Sequence, residues 1–123
     1  MDNRDENIQA LRPFIDFGDL PQPLNRFQEV LRQILKLQND LLVESTIYFL
    51  SNKHKGFLAL DSTLKKDLFS KSLKKDIAFK KDLIGMVKGL FTKSELIEYH
   101  NNQQEINKRL LEFIYKRVST QIC

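Results

Sequence analysis

The chain of 123 residues has one cysteine, no tryptophan, three prolines and four glycines. A single thiol, Cys123, cannot close an internal disulfide, so the fold does not depend on an oxidising compartment. Three prolines and four glycines are too few to turn a small sheet protein every ten residues or so. Val and Thr, which favour strands, are scarce beside Leu, Ile and nine Phe. These shortages point to helices. No apolar run approaches the ~18 residues of a membrane span, so no membrane partner is expected. The opening "MDNRDENIQAL" is acidic and polar where a secretory signal is basic and then apolar. A soluble, cytoplasmic chain is the expectation.

Recognisable catalytic and cofactor signatures are missing as well. There is no phosphate-binding glycine loop, no dinucleotide signature, no H-E-x-x-H and no calcium loop. Asp16-Phe17-Gly18 spells a kinase magnesium motif, but the catalytic loop and glycine loop that must accompany it are absent. Two S-x-x-K matches, at Ser62 and Ser72, lack their partner motifs. His54 and His100 have no Cys or carboxylate cluster at ligand spacing around them. The expectation is therefore no enzyme, no cofactor and no metal.

What is present is apolar residue at helical spacing. Apolar residues make up 41% of the chain, enough for one core, and the length suits one domain. Residues 1–23 read as a short helix over residues 3–12 and a Pro-containing extended arm. Residues 24–123 read as the helical domain. In the first long segment, Phe27, Leu31, Ile34, Leu41 and Tyr48 recur every three or four positions, which predicts one helix from Leu24 to about Lys53. Gly56 is its stop, and Asp61, Ser62 and Thr63 offer the next N-cap. A break near Ser70–Ser72 keeps each following apolar face narrow. "TKSE" at Thr92–Glu95 is a capping box opening a last helix to about Val118. The predicted fold is all-α, a single-domain antiparallel bundle of four to five helices, two of them long.

Charge is uneven. Residues 53–93 carry eleven Lys, four Asp and no Arg, a net of +7, whereas residues 1–52 carry a net of −3. Lys-Lys-Asp occurs three times between Leu64 and Leu83. On a wheel begun at Leu73, with Ile77, Ile84, Val87 and Phe91 on the apolar face, Lys74, Lys81 and Lys88 form one row beside it. Lysine stems can cover an apolar edge while the ammonium stays in water. A row of positive charge can also contact phosphates, with low sequence specificity, because Arg is the residue that grips phosphate and bases in a fork. Gly85 and Gly89 make a G-x-x-x-G spacing, readable as a strip for close helix approach or as a helix end near Gly89.

Two further stretches suggest contact surfaces. Phe14 and Phe17 lie in the arm, with nothing in the sequence to show what covers them. "YHNNQQEIN" interrupts the last helix's apolar stripe, placing His100, Gln103, Gln104 and Asn107 at positions that would face a core or a partner. Buried polar groups of that kind need hydrogen bonds, and across helices they can set specificity. The functional expectation is a non-enzymatic module that binds another protein or a second copy of itself. The alternative is a basic accessory protein that binds nucleic acid through Lys74, Lys81 and Lys88.

Overall fold

The computed structural model describes residues 3–12 and 23–123. Among these residues the chain is helical, without strands. Seven α-helices run in the order α1 (Arg4–Leu11), α2 (Pro23–Leu37), α3 (Asn39–Lys53), α4 (Ser62–Lys75), α5 (Ile77–Lys88), α6 (Lys93–Asn101) and α7 (Gln103–Ile122), with a 3-10 turn at Phe57–Ala59. No helix among the described residues is long and apolar enough to cross a membrane. The arm predicted at residues 13–22, with Phe14 and Phe17, lies outside the described residues.

α7 is the helix against which the others assemble. Ile106, Leu110, Ile114, Val118 and Ile122, four residues apart, form one buried stripe, and α2 through α6 all pack on this helix. Aromatic rings fill the spaces between elements. Phe49 of α3 stacks on Phe79 of α5 at 4.1 Å, and Phe27 of α2 meets Phe91 edge-on at 5.3 Å. Such pairs add roughly 0.5–1.5 kcal/mol beyond the area they bury.

Each of the longest predicted helices is broken at a polar corner. The run from Leu24 to Lys53 bends at Gln38, with φ −92° and ψ 7°. The backbone ladder persists through the bend, since Gln38 N–H donates to Ile34 O and Leu42 N–H to Gln38 O. Side chains fix it. Gln38 Nε2 donates to Met86 O at 3.0 Å, and Asn39 and Gln121 exchange amide hydrogen bonds of 3.0 and 2.7 Å. The bend shifts the helical phase by about one residue. Leu42, Thr46 and Leu50 turn inward, and Leu41 and Tyr48, predicted for the core, face outward at 56% and 72% exposure.

The break between α4 and α5 falls at Asp76, beyond the expected Ser70–Ser72. It is the second Lys-Lys-Asp triplet that makes it. Lys74 and Lys75 suit the carbonyl end of α4, and the Asp76 carboxylate caps α5 by accepting from Phe79 N–H at 3.0 Å. That bond, with Lys53 3.4 Å away, outweighs desolvation and lowers the Asp76 pKa. Starting α5 here leaves Ile77, expected on the apolar face, in solvent. The Asp61 cap of α4 and the Thr92–Glu95 capping box form as the sequence suggests, and Gly56 takes the left-handed φ of 73°. At Gly85 a Cβ would meet nothing within 4 Å among the described residues, so no described helix comes close there; Gly89 ends α5.

α1 is secured differently. It buries none of its residues and is held by three polar side chains at the α5–α6 junction. Arg4 donates to Phe91 O and Gly89 O, both at 2.8 Å. Arg12 donates to Leu90 O at 2.7 Å and pairs with both carboxylate oxygens of Glu95. Asp5 accepts from Lys93 N–H at 3.2 Å. Cations therefore meet the carbonyls of the turn that follows α5, and an anion meets a free N–H opening α6, as the helix dipole favours there. The Arg12 and Glu95 side chains are only 5% and 14% exposed. Burial alone would raise the Glu95 pKa, but the bonds from Arg12 and Thr92 N–H, with the Arg12 charge, hold it below the usual range.

Three outcomes test these placements. Leu42→Ala should cost about 3 kcal/mol in urea unfolding, while Leu41→Ala should change stability by less than about 0.5 kcal/mol; equal costs would contradict the bend. Because the folded Glu95 pKa is depressed, its contribution is complete above the ordinary carboxylate range near ~4.3 and is lost as pH falls through the folded value. Wild type should therefore lose more stability between about pH 5 and 2 than Glu95→Gln does. At neutral pH Arg12→Ala should cost about 2 kcal/mol and speed hydrogen exchange in α1.

Candidate functional site

The corner at Asp76 brings the end of α4 and the start of α5 together over the middle of α7. Lys74 and Lys80, on opposite sides of that corner, are thereby set beside one face of α7. Lys80 Nζ reaches Lys74 O at 3.5 Å, across the carbonyl end of α4. On α7 the face is made by Lys108, Leu111, Glu112, Tyr115 and Lys116, spaced as one side of a helix. Together with Ser70 and Leu73 they line an open groove of about 500 Å³.

The groove has an apolar floor and a basic rim. Leu73 is buried, and Leu111 and Tyr115 are half-buried. The Tyr115 ring packs on Phe69 at 5.3 Å, which anchors it against the core. Lys74, Lys108 and Lys116 are exposed and Lys80 is half-buried. Four ammonium groups surround one carboxylate, Glu112, so the lining carries a net of +3. Lys116 also lines a second hollow of about 530 Å³ with Arg32, Phe113 and Arg117. An apolar floor inside a positive rim suits a ligand with the reverse pattern, an apolar ridge flanked by carboxylates.

The predicted lysine row is divided by the same corner. Lys74 belongs to α4 and lines the groove, whereas Lys81 and Lys88 belong to α5. All three are exposed. Lys88 Nζ lies over the Tyr99 ring, 5.9 Å from its centre, and shares a hollow with Arg4 and His100.

The polar interruption of the last helix is a corner. Asn102, with φ −134° and ψ 32°, separates α6 from α7. Its Nδ2 donates to Glu98 O at 3.1 Å, closing the end of α6. His100, Gln103 and Gln104 are exposed there, and with Asn107 they line a shallow polar hollow. Asn107 is half-buried and accepts a 2.7 Å hydrogen bond from the Tyr99 hydroxyl. Burial raises the Tyr99 pKa, and the bond to Asn107 opposes that rise. Tyr99 and Ile106, both inside the polar stretch, are core residues. Among the described residues, no three His, Cys, Asp or Glu come together as a metal site needs.

Lys80, Lys108 and Lys116 were not singled out by the sequence reading. The signal was there in Lys108, Glu112 and Lys116, four apart, beside Leu111 and Tyr115. No protein-family model, curated protein or solved structure matches the chain.

The Tyr99–Asn107 bond joins α6 to α7 across the corner. Tyr99→Phe and Asn107→Ala should each lower stability by about 1 kcal/mol. In the double variant the losses should be clearly less than additive, as a shared hydrogen bond requires. Additive losses in denaturant melts would mean that the two side chains act separately.

Proposed function

We propose that this chain is a non-enzymatic helical interaction module, an antiparallel bundle that holds an acidic amphipathic helix of a protein partner in the α4–α5–α7 groove. The observation carrying this reading is the floor of Leu73, Leu111 and Tyr115 inside the rim of Lys74, Lys80, Lys108 and Lys116. Helix-in-groove recognition uses apolar anchors at i, i+3 or i+4, and i+7. The floor supplies the apolar surface for such anchors, and each Å² removed from water contributes roughly 25 cal/mol. The rim steers carboxylates on the flanks and disfavours basic helices.

Nucleic-acid binding is the second reading, favoured by the exposure of Lys74, Lys81 and Lys88 in the basic middle of the chain. The two classes differ under salt. Phosphate contacts weaken steeply as salt rises, while an apolar contact with charged flanks loses only its screened part.

A fluorescent, helix-constrained peptide with Leu at i, i+4 and i+7 and Glu on its flanks measures this directly by anisotropy. Binding is expected at about 50 mM salt, with modest weakening at about 500 mM. The Lys108→Glu/Lys116→Glu variant should bind about tenfold or more weakly. If the peptide does not bind at low salt, the groove reading fails. Duplex binding that vanishes by about 200 mM salt and is unchanged by the groove variant would favour the second reading.

A further inference from the structure

Among the described residues, the bend at Gln38 leaves one helix face uncovered. Leu37, Leu41 and Tyr48 are 39%, 56% and 72% exposed, and Asp40 and Glu44 between them are exposed too. At ~100° per residue, Leu41, Glu44 and Tyr48 lie within about 60° of one another on α3. Asp40 opens α3 beside this stripe, and the exposed Leu37 ends α2 just before the bend. On α3, from Asp40 to Tyr48, the stripe extends for about 12 Å at ~1.5 Å rise per residue. The stripe is an apolar ridge carrying two carboxylates, with Lys36 and Lys53 only at its ends.

We infer that the groove's partner helix is the outer face of α3 in a second copy of this chain. The inference rests on the interaction reading above and names the source of the acidic helix. Charge and polarity match in both directions. The ridge brings leucine and tyrosine to an apolar floor, and Asp40 and Glu44 to a rim of four lysines. A chain cannot make this contact with itself. α3 is fixed by its inner side, where Leu42, Thr46 and Leu50 are buried and the helix packs on α5 and α7. The ridge points the opposite way. Pairing two copies covers Tyr48, the most exposed aromatic side chain among the described residues, and the net positive rim with one contact.

Sedimentation velocity on the full chain, from about 5 to 500 μM in low salt, tests the inference in the concentration range of weak self-association. Concentration-dependent association is expected. It should weaken about tenfold or more in Asp40→Lys/Glu44→Lys and in Lys108→Glu/Lys116→Glu, because each places like charges face to face. All four positions are exposed or at the surface of formed helices, and circular dichroism checks that both variants fold. Mixing the two charge-reversed variants should restore association that neither shows alone. A chain that stays monomeric at the top concentration yet binds the acidic peptide overturns the second-copy inference and leaves the groove reading intact. Failure of both overturns both. Association that all the variants leave unchanged also overturns the inference, since the contact would then lie elsewhere.

Discussion

Burial of the apolar stripe on α7 is the constraint on which the remaining structure depends. Five other helices pack against this one helix, and its inward residues, from Ile106 to Ile122, recur every fourth position. Replacing a side chain there leaves a cavity facing several helices at once, at a cost of roughly 2–5 kcal/mol for Leu or Ile to Ala. The neighbours must be short to wrap a single axis, and they are. Polar residues at positions 38, 76 and 102 separate α2 from α3, α4 from α5 and α6 from α7.

Those corners determine where chemistry is displayed. Asp76 sets Lys74 and Lys80 on the same rim although they belong to different helices. Gln38 sets Leu41 and Tyr48 on the outside although their spacing matches that of core residues. The basic groove and the acidic ridge are thus both products of interruptions in helices that the apolar periodicity, taken alone, would continue. The charges follow the same economy. Lys74, in the last turn of α4, suits its carbonyl terminus and also forms part of the rim.

Much of the fold was legible because caps and periodicity are local. Asp61 and the Thr92–Glu95 box could be read from a few adjacent residues, since each satisfies backbone groups of its own turn, and Gly56 because its left-handed φ suits glycine. Gln38 could not. Its bend depends on Met86, Arg117 and Gln121, which are remote in sequence, and a heptad count runs straight through it. Serine also caps helices, so the sequence offers Ser70–Ser72 for the break that falls at Asp76, and nothing local ranks one candidate above the other. In the last helix, polar residues were legible as an anomaly, but whether they line an interface or turn a corner depends on Asn102 backbone angles. Lys74 was found from spacing. Lys108 and Lys116 were missed because their partners across the groove come from two other helices.

The clasp on α1 has a consequence for biosynthesis. Arg12 and Glu95 are 83 positions apart, so the N-terminal helix leaves the ribosome long before its docking surface exists. At roughly 5–20 residues per second the wait lasts about 4–17 s. An eight-residue helix has little stability alone in water. α1 is translated before the junction that holds it and is secured only once that junction has formed, and until then it is open to chaperones and proteases.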